Sequence, residues 1–130
     1  MYFTCFEFYA KLVVMNVPGP EELLYLPEGM DKVTCEEDKR VPHCSIFTFH
    51  LEDHTLGNLL RMQLLRYPKV KFAAYQIPHP LVNDCILRIQ TDGTVTPKVA
   101  LLQAFDDLRS ITENLEKAFD EGHEIFLKRK

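Results

Sequence analysis

Apolar and polar positions change their spacing several times along this chain, and each change predicts an element. Over residues 44–51, CSIFTFHL, they alternate with the period of a strand. Phe47, Phe49 and Leu51 are expected on one face, with Ile46, Thr48 and His50 on the other. From Glu52 the spacing becomes helical and stays so to about Tyr67, because Pro68 disfavours helix in the residue before it. Asp53 or Thr55 supplies the N-cap oxygen. Leu56, Leu59, Leu60 and Leu64 fall on one side of this helix, while Met62 and Leu65 point roughly the opposite way. A helix apolar on two sides is expected to be buried on two sides, and one small sheet covers only one of them. Gly57 costs about 1 kcal/mol relative to alanine inside a helix, so its presence predicts close approach by another backbone.

Strand spacing returns over 70–77, VKFAAYQI, is broken by Pro78-His79-Pro80, and returns over 85–91, CILRIQT. Their closeness predicts an antiparallel pair joined by a loop rather than a tight turn. Asp92-Gly93 marks a turn, and Thr96-Pro97 opens a second helix with N-cap and N1 chemistry. A heptad seam follows. Leu101, Leu108 and Leu115 hold one position, Ala104, Ile111, Ala118 and Ile125 the other, and Phe105 and Phe119 flank them. A helix from Pro97 to about Glu121, ending or loosening at Gly122, is ~37 Å long, against ~20 Å for a short strand. Part of it should therefore overhang its own sheet and meet a helix from another chain.

The leading segments are less regular. Residues 1–14, MYFTCFEFYAKLVV, read as an appended strand or tail; Glu7 and Lys11 and the missing basic start argue against a signal peptide. Met15 is a candidate start, which leaves 1–14 as an N-terminal extension and 15–130 as a single domain. Residues 16–42 are expected to be mostly loop, with extended pieces at Leu23 to Leu26 and Lys32 to Cys35, and with Glu36-Glu37-Asp38 as a solvated turn.

Composition adds exclusions. A 130-residue chain that is 46% hydrophobic and 26% charged is a globular single domain. A net charge of -4 argues against a general grip on nucleic acid. Cys5, Cys35, Cys44 and Cys85 form no C-x-x-C pair, so neither zinc spacing nor a disulfide framework is indicated, and a reducing compartment is the better reading. Asp53 beside His54 has the residue types of a catalytic pair but no nucleophile motif with it. His50 and His54 are four apart, but one lies in a strand and the other at a helix start, so the spacing loses its meaning for a metal. Arg61, Arg66, Lys69 and Lys71, like the tail Lys128-Arg129-Lys130, read as solvated charge rather than a phosphate site. No cofactor, metal or catalytic residue is expected.

Three ordered motifs carry a resemblance: Glu52-Asp53-His54-Thr55-Leu56-Gly57-Asn58, then Phe72-Ala73-Ala74-Tyr75-Gln76-Ile77-Pro78-His79-Pro80, then Arg88-Ile89-Gln90-Thr91. Together they resemble the smaller α-like subunit of multisubunit DNA-directed RNA polymerases, archaeal subunit L and its eukaryotic equivalents. Met15-Asn16-Val17-Pro18 and Val41-Pro42-His43-Cys44 look like the polymerase II member, whereas Asp92-Gly93-Thr94 leans toward the one shared by polymerases I and III, which stays open as the alternative. The resemblance implies an α+β fold, a small antiparallel sheet with two helices on one face, the C-terminal helix long. It implies a nuclear, non-catalytic subunit that pairs with a larger α-like subunit as a platform for polymerase assembly, and that meets DNA only through the complex. The expected pairing surface is Leu56, Leu59, Leu60 and Leu64 of the first helix with Leu101, Phe105, Leu108, Ile111, Leu115 and Phe119 of the second. A small homodimeric binding protein is the distant rival.

Overall fold

The computed structural model describes Tyr25, Leu26 and residues 28–128. The expectations for residues 1–14, for Leu23 and Leu24 and for Arg129 and Lys130 lie outside these. The elements run β1 (Val33–Glu37), β2 (Cys44–His50), α1 (His54–Leu64), β3 (Val70–Gln76), β4 (Asp84–Thr91) and α2 (Pro97–Lys128). The four strands form one sheet in the order β1-β2-β4-β3, every neighbouring pair antiparallel. Since β2 and β3 both run against β4, they are parallel to each other. Helix α1 is the crossover between them and leaves the space that β4 fills.

Register places one face of the sheet in the core. Phe47 lies opposite Leu87, which lies opposite Tyr75; Phe49 lies opposite Cys85; Ile89 lies opposite Ala73. Leu60 and Leu64 of α1 and Ala100, Leu101 and Ala104 of α2 pack on that face with them. The two alanines let the α2 backbone come close to the strands. The opposite face carries half-buried Ile46, Thr48, Ile86 and Arg88 and exposed Phe72, the alternation of a sheet that is covered on one side.

Several features differ from the sequence expectation, among them α1, which ends at Leu64 and not near Tyr67. Leu51 does not continue β2: it has a positive φ of 54°, rare for a leucine, because the chain must turn there to begin α1. The extended piece at Lys32 to Cys35 is a strand that reaches Glu37, and Asp38 is not a solvated turn residue, since it forms an ion pair with Arg88. Leu59 does not share the buried side with Leu56, Leu60 and Leu64; it is 48% exposed, beside exposed Met62 and Leu65. Helix α2 passes Gly122 without a break and ends at Lys128, so its 32 residues span about 48 Å.

Candidate pairing surface

Helix α1 is held on the sheet by the residues of the first two motifs. Asp53 is the N-cap, its carboxylate accepting from the Thr55 N–H at 2.8 Å, and these bonds lower its pKa. His54 Nδ1 meets the Tyr75 hydroxyl at 3.2 Å, with the two rings edge to face. His50 is bonded across the strands to Asp84 at 2.9 Å. Asp53 and His54 therefore each have a structural partner, and no group of three His, Cys, Asp or Glu among the described residues is placed to hold a metal.

Gly57 lies tight against strand side chains, not against another backbone as the sequence suggested. A Cβ there would lie 2.5 Å from Tyr75 Cδ2 and 2.7 Å from Cys85 Sγ. Gly57→Ala is therefore expected to lower stability by about 1–3 kcal/mol, despite alanine's better helix propensity. Urea denaturation of the two proteins measures the difference; a variant at least as stable as the parent would contradict the close approach. The Cys85 thiol beneath this glycine is fully buried, which raises its pKa, helped by the charges of Glu52 and Asp53. Alkylation of the native protein followed by mass spectrometry should accordingly modify exposed Cys35 and spare Cys85 until denaturant is added.

Other motif residues serve the sheet or its loops. Arg88 reaches Asp38 and places Nε 3.4 Å from Cys44 Sγ, which ties β4 to the β1–β2 connection. Gln90 stands between Cys44 and Phe72 on the outer face. The Thr91 hydroxyl is buried, with no hydrogen-bond partner among the described residues. His79 orders the loop after Pro78, its Nδ1 accepting from the Leu81 N–H at 3.1 Å and its carbonyl from Val82 at 3.0 Å. Pro80 and Asn58 are exposed.

The expected pairing residues separate into three groups. Leu60, Leu64 and Leu101 are covered inside the chain itself. Leu56, Phe105 and Leu108 are half-buried against the same core. Leu59, Ile111, Leu115 and Phe119 are exposed, the last two at 69% and 72%. The division follows from where α2 leaves the sheet. Leu108 is its last residue packed on the core, and 109–128 are all exposed. That stretch projects about 30 Å and continues, through Ile111, Leu115, Ala118, Phe119 and Ile125, the seam that is buried in its first three turns. Large apolar side chains thus stand exposed in line along one helix.

The family model described as the RNA polymerase Rpb3/Rpb11 dimerisation domain matches residues 44–118, from the start of β2 into the projecting half of α2. The chain belongs to this family. Within the Rpb3/Rpb11 dimerisation family it is similar to DNA-directed RNA polymerase II subunit rpb11 of Dictyostelium discoideum, 41% identical over 107 residues, 82% of this chain and 89% of that one. A probable polymerase II subunit RPB11 of Caenorhabditis elegans is 45% identical over 106 residues, 82% of this chain and 86% of that one. The RPB11 subunit of Schizosaccharomyces pombe is 41% identical over 105 residues, 81% and 85% of the two chains. In fold, the chain resembles the crystal structure of RNA polymerase subunit L from Thermoplasma acidophilum, with a TM-score of 0.62 at 18% identity over 77% of this chain and 98% of that one. Asp92 Oδ1 accepts from the Thr94 N–H at 2.9 Å and from its hydroxyl at 2.6 Å, so Asp92-Gly93-Thr94 reflects local turn chemistry.

Among the residues that sequence reasoning missed, Gln63, Tyr67 and Asp107 stand out. Gln63 is a polar side chain buried in the last turn of α1. The only trace of it in the sequence is the i, i+4 spacing of Gln63 and Tyr67; Asp107 is distant in sequence and no pattern pairs it with them.

Proposed function

We propose that this chain is the small α-like subunit of RNA polymerase II, a non-catalytic assembly component that pairs in the nucleus with the larger α-like subunit. The carrying observation is the seam of α2, covered by the chain's own sheet as far as Leu108 and uncovered from Ile111 onward. A monomer gains nothing from ordering about 30 Å of helix with leucine, isoleucine and phenylalanine facing water. A partner helix laid along Ile111, Leu115 and Phe119, and a second contact on Leu59, Met62 and Leu65 of α1, would convert that surface into buried area. The name of the matching family and the names of the relatives support the same reading. The roles of Asp53, His54 and His79 support the non-catalytic part, since they are engaged in capping α1, tying it to Tyr75 and ordering the loop after Pro78.

Co-expression with the larger α-like subunit of polymerase II, followed by gel filtration with light scattering, tests the proposal. A one-to-one complex is expected. A chain that elutes alone at every concentration, or that pairs only with itself, would refute it. The same experiment with the larger subunit of polymerases I and III decides the class: clearly weaker pairing is expected there.

A further inference from the structure

The contact between the two helices is polar at a place where an apolar one would stabilise more. Gln63 occupies the core side of α1 between Leu60 and Leu64 and is buried. Its amide Nε2 donates to the Tyr67 hydroxyl at 3.2 Å and to Asp107 Oδ2 at 3.2 Å. Its Oε1 accepts from Arg66 Nη1 at 3.3 Å, which fixes the orientation of the amide. The Tyr67 hydroxyl donates to the same Asp107 oxygen. One carboxylate oxygen on α2 thus gathers two donors from the end of α1, and both polar atoms of the Gln63 side chain are satisfied. Burial, followed by the bond to Asp107, raises the Tyr67 pKa above its ordinary value, so the phenol keeps the proton it donates.

Such a network differs from leucine packing in what it tolerates. Apolar contacts allow one helix to slide or rotate on another at little cost, whereas hydrogen bonds weaken steeply with distance and angle. A single polar position can set register in a helical layer for this reason. Its location here matters as much as its chemistry. Asp107 immediately precedes Leu108, where α2 last touches the core, so the network sits at the root of the projecting half. Over the ~30 Å beyond it, a change of about 10° in direction moves the tip by about 5 Å, close to one helical turn.

We propose that Gln63, Tyr67 and Asp107 form a positioning clasp that fixes the direction in which the free half of α2 leaves the domain, and thereby the register in which Ile111, Leu115 and Phe119 meet the larger α-like subunit. The proposal rests on the pairing reading above and names residues, at the contact of the two helices and outside the exposed seam, that control it. The cluster acts through the helix and has no need to touch the partner.

The test uses the full chain, alone and with the larger α-like subunit. Nitroxide labels at Glu36→Cys and Asp120→Cys, with Cys5 and Cys35 changed to serine, report the distance from sheet to projecting helix by double electron–electron resonance. Tyr67→Phe keeps the ring and removes the hydroxyl; Asp107→Ala removes the acceptor; Asp107→Asn keeps an acceptor and serves as the conservative rescue. Ile89→Val lowers stability through the core without touching the clasp. Tyr67→Phe and Asp107→Ala are expected to broaden the distance distribution and to weaken pairing about tenfold. Asp107→Asn should restore both readouts toward the parent, and Ile89→Val should lower the melting temperature while leaving both in place. Unchanged distance distributions and affinities for Tyr67→Phe and Asp107→Ala would overturn the proposal, as would an equal loss of affinity in Ile89→Val. If the parent chain itself does not pair, the pairing reading fails; if the parent and every variant pair equally well, the clasp alone fails.

Discussion

Leu115→Asp combined with Phe119→Asp is expected to abolish pairing with the larger α-like subunit while the chain alone stays folded. Both residues are more than two-thirds exposed and lie past the last residue of α2 that touches the core, so the isolated domain loses no core packing, only the stacking of Phe119 on His123 one helical turn away. The helix tolerates aspartate there at a cost of a few tenths of a kcal/mol each. In the paired state, each carboxylate would be removed from water with no counter-charge, which costs several kcal/mol. At about 1.4 kcal/mol per tenfold, the two together weaken pairing by at least about a thousandfold. Titration calorimetry measures the affinity and circular dichroism the fold. A double variant that binds within threefold of the parent would remove the seam from the interface.

Leu60→Asp should destroy the fold itself. Leu60 is 0% exposed and sits in the core formed by α1, the sheet and α2. Among the described residues near it there is no basic side chain inside that core to receive a carboxylate. A buried, unpaired charge costs several kcal/mol against the ~5–15 kcal/mol that holds a domain of this kind together. Far-ultraviolet circular dichroism and a flat denaturation curve would register the loss, and pairing would be lost as a consequence. Leu60→Ala should remain folded but lose ~2–5 kcal/mol. The contrast between Leu60 and Leu115 separates a leucine buried in the chain's own core from one that the proposed pairing would bury. A Leu60→Asp protein that folds and fails only to pair would reverse it.

Periodicity made much of this fold readable. The alternation from Cys44 to His50 and from Cys85 to Thr91 is the pattern of strands with one face buried, and register then brings Phe47 against Leu87 and Phe49 against Cys85. The overhang followed from the length of α2 compared with that of a strand, and it needed no contact to be seen. What was misread follows from rules that periodicity does not contain. Leu59 is nearly as well placed as Leu56 on a helical wheel, but buried Gln63 lies between them, and the core side of α1 turns toward Gly57 and Leu60. Nothing in a hydrophobic pattern places a glutamine at the centre of a buried face, because its burial depends on Tyr67 and Asp107, which the pattern does not pair with it. Gly122 looked like a stop. An exposed glycine inside a helix costs only about 1 kcal/mol, and the good helix formers on either side outweigh it. Strand β1 was underestimated because all five of its residues are exposed and it has no alternation to show. Its place in the sheet comes from backbone bonds to β2, not from burial.

The seam of α2 was legible in the sequence, and the proposed pairing rests on the part of it that the chain leaves uncovered. Which leucines of the seam remain for a partner depends on where α2 leaves the sheet, and only the structure locates that point at Leu108.

Amide hydrogen exchange along α2, with and without the larger α-like subunit, addresses the uncovered seam most directly. In the free chain, the amides of 109–128 should exchange much faster than those of Ala100, Leu101 and Ala104, which are anchored in the core. On pairing, the amides around Ile111, Leu115 and Phe119 should become strongly protected. A stable complex in which 109–128 exchange as fast as in the free chain would place the partner elsewhere and contradict the role assigned to this helix.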